Sequence, residues 1–239
     1  MIISLTSIPS RFKYLHMVCH TLGIQGDYKI WLNIPWKYNR FPDEEINIPE
    51  LKDNVIINRC KDYGPATKYL GPIEGGCTDD IMVVVDDDTA YPPNLCKYMS
   101  FLHEKDKSAW CVSGFRIDEY IKGNGRVPRY DRQEIDVTEG YGGVLVRTEW
   151  MKKVLDEYPK WKGITYNDDV IVSSILAKHG ISRKSICDNV LNIGNIRQYK
   201  YGMEGDALFQ NGGDGSHVPN NKKVFQMLKD RGMYYYNHS

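Results

Sequence analysis

The chain lacks a net charge, a long apolar segment and any close pairing of cysteines. Its 239 residues include 31 Lys and Arg and 31 Asp and Glu, so the formal net charge is zero. A neutral chain has no overall electrostatic attraction to nucleic acid or to an anionic membrane. We therefore expect no nucleic-acid partner, and recognition of a charged ligand must come from a local group of side chains.

Long hydrophobic runs are also missing. No apolar stretch approaches the roughly 18 residues that indicate a transmembrane helix. Residues 1–6 lack the basic segment, apolar run and small-residue cleavage site of a signal peptide. We expect no membrane span and a soluble, cytoplasmic protein.

The six cysteines are scattered along the chain, with no Cys-x-x-Cys pair. Without a signal for export, they are better interpreted as reduced thiols than as a disulfide or zinc framework. Cys19, Cys96 and Cys187 lie in apolar contexts, which is typical of small core residues.

The order of apolar segments predicts an α/β fold. Residues 1–8, 29–35 and 54–60 have strand composition, and apolar residues at helical spacing in 15–22 predict a helix after the first strand. This β-α-β-β opening predicts a mostly parallel central sheet flanked by helices. A second independent domain would be cramped in a chain of this length, so we expect a single domain over residues 1–239.

The strongest local signal is an apolar run, residues 81–85, that leads directly into Asp86, Asp87 and Asp88. Such a run is typical of a strand buried on both faces, and open α/β sheets bind ligands beyond the carboxyl ends of their strands. Three adjacent, partly desolvated carboxylates repel one another, and Mg²⁺ or Mn²⁺ would neutralise them. The alternative is an acidic turn whose Asp88 or Thr89 caps a helix beginning near residues 92–93.

A second signal lies at residues 62–71, where Gly64-Pro65 breaks the chain before a predicted helix. Pro65 suits the first turn of a helix, whose free amides would face an anion while Lys68 projects one turn further on. The alternative is an ordinary capped helix with a solvated lysine, because neither a Walker loop nor a dinucleotide fingerprint is present.

Two later segments carry site residues. Gly142 and Gly143 precede an apolar strand, where missing side chains allow either close approach of a ligand or a tight bulge. Asp168 and Asp169 stand at the start of a predicted helix, where one acid suffices as a cap and the other is free to act as a general base.

The remaining polar segments are predicted as loops. Residues 118–138 have the composition of an exposed loop or flap, and residues 206–217 that of an irregular loop over the cleft. His217, at the end of the second loop, is either a surface histidine or a metal ligand.

Taken together, these residues resemble the GT-A type of nucleotide-sugar glycosyltransferase. Five short motifs occur in the family's order between residue 1 and about residue 217. They are Thr6-Ser7-Ile8-Pro9-Ser10-Arg11, Asp62-Tyr63-Gly64-Pro65-Ala66-Thr67-Lys68, Asp86-Asp87-Asp88, Gly142-Gly143 and Asn167-Asp168-Asp169-Val170. The chain looks most like small bacterial and large-DNA-virus sugar transferases, and a viral member would act in a host cytoplasm.

The resemblance implies a role for each motif. Asp88 and Asp86 would hold Mn²⁺ or Mg²⁺ on the donor diphosphate, with His217 completing the metal shell. The other implied donor contacts are Thr6, Arg11, Asp62, Lys68, Asp87, Gly142 and Gly143. In the family's acid pair before a valine the second member is the base, so the resemblance implies Asp169 as the first candidate for the base and Asp168 as the second. This chain has Asn-Asp-Asp where many relatives have Glu-Asp.

These roles predict a metal-dependent, inverting transfer of sugar from a nucleotide-sugar donor, preferably a UDP-sugar, to a glycan or glycoprotein hydroxyl. A metal-dependent phosphohydrolase or nucleotidyltransferase is the rival enzyme, because acids at a strand end also gather Mg²⁺ for phosphoryl transfer. A carbohydrate- or Ca²⁺-binding module without catalysis is the rival from another class.

Overall fold

The computed structural model describes residues 1–123, 130–161, 167–186, 197–199 and 217–236, with the backbone alone for 197–198 and 217–221. Cys187 and residues 206–216 of the predicted cleft loop lie outside the described residues. The other five cysteines are free and buried. Burial of Cys19 and Cys96 agrees with the sequence prediction, which did not extend to Cys60, Cys77 and Cys111.

The strands of the described chain form a seven-stranded sheet and a separate two-stranded one. They are β1 (Ile2–Thr6), β2 (Lys29–Pro35), β3 (Val55–Cys60), β4 (Ile81–Val84), β5 (Thr89–Ala90), β6 (Ala109–Phe115), β7 (Val137–Arg147), β8 (Arg183–Ser185) and β9 (Arg197–Gln198). The large sheet has the order β3-β2-β1-β4-β7-β6-β8, and β5 pairs with β9. Four neighbouring pairs in the large sheet are parallel, and only the two pairs that include β7 are antiparallel.

Seven α-helices follow or connect these strands in the described residues. They are α1 (Leu15–Gly23), α2 (Thr67–Glu74), α3 (Leu95–Lys105), α4 (Ile117–Lys122), α5 (Thr148–Glu157), α6 (Asp168–Lys178) and α7 (His217–Asp230). Short 3₁₀ segments cover Pro9–Tyr14 and Tyr158–Trp161.

Two hydrophobic cores cover opposite faces of the large sheet. Along β4, Met82 and Val84 belong to one core while Val83 belongs to the other, because successive side chains of a strand point to opposite faces. Helices α2, α5, α6 and α7 supply residues to the first core, and α1 and α3 supply the second. The buried apolar run of β4 is therefore explained by helices on both faces of the sheet.

Sheet register brings the site segments to one edge. The carboxyl ends of the parallel strands β1, β2, β3 and β4 meet there. Strand β7 runs antiparallel to β4, with Val84 opposite Val144, so residues 139–143 of β7 extend beyond the end of β4. Asp86, Asp87 and Asp88, which we call the acid turn, are thus neighbours of residues 139–143, which we call the glycine segment.

Several predicted elements need correction. Residues 118–138 are not one loop, because α4 covers Ile117–Lys122 and β7 already begins at Val137; residues 124–129 lie outside the described chain. His217 begins α7 and does not end a loop. The glycines, proline and charges of residues 118–138 are typical of a loop, but Ile117 and Tyr120 are buried and anchor a short helix.

Candidate active site

The three aspartates after β4 form a turn between β4 and β5. Asp87 and Asp88 are buried, whereas Asp86 is partly exposed. The interpretation of this turn as a helix cap is wrong, because α3 begins at Leu95 and its N-cap position is Asn94.

Arg11, from the 3₁₀ segment after β1, pairs with two of these acids. Its Nη1 lies 2.7 Å from Oδ1 of Asp87 and 3.1 Å from Oδ2 of Asp88. Ser7 donates its hydroxyl to the other oxygen of Asp87, and Thr89 donates to Oδ1 of Asp88. Burial, followed by the charges of the two neighbouring aspartates, raises the pKa of Asp88 to about 6.

Lys68 is buried on α2 and joins the acid turn to the start of α6. Its Nζ lies 2.6 Å from Oδ1 of Asp86 and 3.1 Å from Oδ2 of Asp168. Burial alone would lower the pKa of Lys68, but Asp168, Asp86 and Asp169 together raise it well above its ordinary value. The interpretation of Lys68 as a solvated lysine is therefore wrong.

The loop before α2 is shaped by Gly64 and Asp62. Gly64 has a φ of 61°, which glycine adopts without strain. Asp62 accepts the N–H of Gly64 through Oδ1 and the N–H of Asn39 through Oδ2, at 2.7 and 2.6 Å. Pro65 precedes the first helical residue, Thr67, instead of lying in the first turn. Asp62 thus ties the loops after β2 and β3 together, and its contact with a nucleotide stays a prediction.

A buried polar network, which the sequence analysis missed, holds α2 against the sheet. Ser4 on β1 donates to the carbonyl oxygen of Lys68, and the amide of Asn33 on β2 donates to Ser4 Oγ. Asn58 on β3 donates both to Asn33 and to the carbonyl oxygen of Gly71. A Cβ at Gly71 would lie 2.8 Å from Asn33, so glycine allows the helix to approach this closely.

Asn167, not either aspartate, caps α6. Its side-chain oxygen accepts the N–H of Val170 at 3.2 Å. The prediction that one of the two acids caps this helix is therefore wrong. An Asn three residues before an apolar run is a cap signal, but in this sequence the two acids that follow it are capping candidates of the same kind. Both aspartates are thereby released from capping.

Asp169 faces the glycine segment of β7. Its Oδ1 accepts the N–H of Gly140 at 2.9 Å. A Cβ at Gly140 would lie 2.6 Å from Lys68 Nζ and 3.1 Å from Asp169 Oδ1, so the absent side chain permits this approach. Burial, and then the charge of Asp168, raises the pKa of Asp169 well above its ordinary value, although Lys68 opposes the shift.

The glycines singled out from sequence have a different environment. Gly143 has a φ of 84°, and its position for a Cβ faces Leu95 and Tyr91 at 3.2 and 3.5 Å. Packing against Leu95 and Tyr91, together with a positive φ that glycine adopts without strain, accounts for Gly143. Gly142 is buried, and contact of either glycine with a ligand stays a prediction.

Tyr91 connects the acid turn to the same part of β7. Its hydroxyl accepts the N–H of Asp86 at 2.8 Å and donates to the carbonyl oxygen of Tyr141 at 3.0 Å. Thr6 donates its hydroxyl to the carbonyl oxygen of Asn33, which joins the ends of β1 and β2. None of these three contacts could be predicted from a local sequence pattern.

The acids suit a hard divalent cation only in part. In the described part of the chain, no three His, Cys, Asp or Glu side chains are arranged to hold a metal ion. The side chain of His217 lies outside the described residues. The acid turn and the start of α6 together contain five carboxylates and only the two basic groups Arg11 and Lys68. An ion such as Mg²⁺ needs only one or two protein carboxylates when a substrate supplies phosphate oxygens.

Comparisons with known proteins identify the fold. No protein-family model matches the sequence, and the comparison with curated proteins gives no match either. Among solved structures, a UTP-bound UGPase from Acinetobacter baumannii matches with a TM-score of 0.51 and 11% identity, over 96% of this chain and 99% of that one. An active-site mutant of LgtC matches with a TM-score of 0.47 and 12% identity, over 84% of this chain and 87% of that one.

The predicted fold class is confirmed. The chain has the α/β nucleotide-sugar transferase fold, with a seven-stranded sheet between layers of helices. In the described residues no helix is both long and apolar enough to cross a membrane.

Proposed function

We propose that this protein is a glycosyltransferase that moves a sugar from a nucleotide-sugar donor to a hydroxyl of a glycan or glycoprotein. The observation that carries the proposal is the position of Lys68, which pairs with Asp86 of the acid turn and with Asp168 beside Asp169. The buried ammonium group of Lys68 thus joins two groups of acids that suit two different tasks. The acid turn suits binding of a diphosphate through a divalent metal ion, and the acids of α6 suit removal of a proton.

Mn²⁺ or Mg²⁺ is the cofactor in this proposal, and Asp86 and Asp88 are the residues that would hold it. Such an ion supplies stabilisation of the negative charge that develops on the leaving diphosphate. The excess of carboxylates over basic groups supports a cation at this edge of the sheet. Arg11 holds Asp87 and Asp88 in position through its two short ion pairs.

Asp169 is the preferred general base. It is less buried than Asp168, and its raised pKa makes its carboxylate a stronger base than an ordinary aspartate. Asp168 is instead held by the charge of Lys68 at 3.1 Å. Asp169 would take the proton of the acceptor hydroxyl. The oxygen of that hydroxyl would bond to the anomeric carbon of the donor sugar while the bond from this carbon to the diphosphate oxygen breaks. A single displacement of this kind inverts the anomeric centre.

A UDP-sugar is the preferred donor. The sequence supports it through the GT-A resemblance, and a solved structure with the same fold binds UTP. A nucleotidyltransferase is the second candidate, because that structure is a UGPase. In nucleotidyl transfer, however, a phosphate oxygen that is already ionised attacks phosphorus, so no hydroxyl proton needs removal. The acid pair at the start of α6 therefore favours glycosyl transfer.

The test separates the two reactions by their products. The protein is incubated with Mn²⁺ and UDP-, GDP- or dTDP-sugars together with an oligosaccharide mixture, and separately with UTP and glucose 1-phosphate. Release of nucleoside diphosphate with extension of a glycan would support the proposal. Release of pyrophosphate from UTP would establish the second candidate, and no Mn²⁺-dependent binding of any nucleoside diphosphate would contradict both.

A further inference from the structure

A polar cluster on β6 and β7 has no role in the reaction as described above. Ser113, Glu139 and Tyr141 form it, and Ser113 lies opposite Glu139 in the strand register. The hydroxyl of Ser113 donates to Oε2 of Glu139 at 2.5 Å and lies 2.8 Å from the hydroxyl oxygen of Tyr141. The serine on β6 thus links a carboxylate and a phenol that both lie on β7.

The cluster borders the proposed base. Glu139 and Tyr141 flank Gly140, whose N–H donates to Asp169. Tyr141 is also joined to the acid turn, because its carbonyl oxygen accepts the hydroxyl of Tyr91. The cluster therefore lies along the same edge as both groups of acids.

The chemistry of the cluster fits a sugar ring. Within the described residues, Glu139 accepts a side-chain hydrogen bond only through Oε2, so Oε1 remains to accept from a ligand hydroxyl. The side chain of Tyr141 is 42% exposed, although its neighbours on β7 are mostly buried. A ring of this type offers a flat apolar face with a polar edge, and a sugar offers C–H groups on one face and hydroxyls at its rim.

We infer that Ser113, Glu139 and Tyr141 form a subsite that binds the hydroxyls and the apolar face of a sugar. The inference rests on the proposed function and specifies which residues hold a sugar beside Asp169. The bound sugar is either the one on the donor or the terminal unit of the acceptor. Glu139 and Ser113 would bind its hydroxyls, and the ring of Tyr141 would pack on its C–H face.

The test compares Glu139→Gln and Tyr141→Ala with wild type, and Phe101→Ala is the control because it removes another exposed aromatic ring, from α3. Mn²⁺-dependent affinity for UDP is measured first, followed by affinity for UDP-glucose and UDP-galactose and by the acceptor KM. We expect UDP affinity to stay within about twofold and sugar recognition to fall about tenfold in both cluster variants. Glu139→Gln loses a hydrogen bond to a charged group, and Tyr141→Ala loses the ring that packs on the sugar.

The results distinguish the source of the sugar and the two hypotheses. A loss confined to UDP-sugars assigns the subsite to the donor, and a raised acceptor KM assigns it to the acceptor. Normal UDP binding with unchanged UDP-sugar affinity and acceptor KM would overturn the subsite and leave the proposed function standing.

Two further measurements cover the remaining cases. If wild type binds none of UDP, GDP and dTDP with Mn²⁺, the proposed function fails, and the subsite is judged by saturation-transfer NMR with free lactose and maltose; absence of a signal that depends on Glu139 would overturn it. If Tyr141→Ala lowers the Tm, Tyr141→Phe keeps the ring, and we expect it to retain most sugar affinity.

Discussion

At the scale of single residues, Lys68 is the most constrained side chain of the site. It is 5% exposed and shares its charge among Asp86, Asp168 and Asp169. Removing a buried charge partner costs more than removing an exposed one, because the remaining carboxylates keep their desolvation penalty.

Lys68→Met should therefore lower the free energy of unfolding by about 3–5 kcal/mol at pH 7. Urea denaturation measures the change, and Lys61→Met at an exposed position is the matched control, expected within about 0.5 kcal/mol of wild type. The deficit should shrink at acid pH, where the carboxylates become protonated. Equal effects of the two substitutions would show that Lys68 is not a buried counter-charge.

Asp169→Asn should separate catalysis from stability. The transfer rate should fall by roughly 10²–10⁴, the usual contribution of a general base, while UDP affinity is retained. The pKa of Asp169 is raised in the folded protein above the ordinary 3.8, so the folded state holds this proton more tightly than the unfolded state does. Wild type therefore loses stability relative to the variant as pH rises from near 3.8 through the raised pKa.

Thermal unfolding from pH 4 to pH 8 measures this dependence. We expect the Tm of the Asn variant to exceed that of wild type by an amount that grows with pH. Asp168→Asn is the comparison, and it should weaken the ion pair with Lys68. Full transfer activity in both variants would exclude the proposed base.

At the scale of elements, α6 shows how a local signal can be assigned to the wrong residue. Its two acids lie in the first turn, where negative charge interacts favourably with the helix dipole, but the free N–H of Val170 donates its hydrogen bond to Asn167. This capping interaction fixes where α6 begins and therefore where Asp168 and Asp169 point.

Asn167→Ala should lower the free energy of unfolding by about 0.5–2 kcal/mol, and Asn167→Asp should cost much less because it also caps. Chemical denaturation of both variants checks the prediction. A cap at Asp168 would instead leave Asn167→Ala neutral.

At the scale of the whole molecule, the site is assembled from separate layers. Arg11 follows β1, Lys68 lies on α2, the acid turn follows β4, and Asp169 lies on α6. A ligand that binds across them stabilises only the folded state, because the unfolded chain does not bring them together.

UDP with Mn²⁺ should therefore raise the Tm, with a stabilisation of about 2.7 kcal/mol when free ligand is a hundred times its Kd. EDTA should abolish the shift, and Asp88→Asn should reduce it strongly because it removes a proposed metal ligand. Differential scanning fluorimetry with Glu104→Gln as a control at a distant acid measures the change. A shift in the Asp88 variant equal to that of wild type would exclude Asp88 as a ligand.

The sequence alone determined the local elements and which edge of the sheet holds the acids. Residues 29–35 form a strand with the predicted bounds, and the acids follow a buried strand, because periodicity and composition are local properties. The three carboxylates at the end of β4 are adjacent in the sequence, so their position could be predicted from it.

Only the tertiary structure decided which charges meet. Arg11 and Asp87 are 76 residues apart, and Gly140 and Asp169 are 29 apart, so no local pattern contains either contact. The network of Ser4, Asn33 and Lys68 was also invisible, because three segments must first pack before their polar groups lose water and require partners.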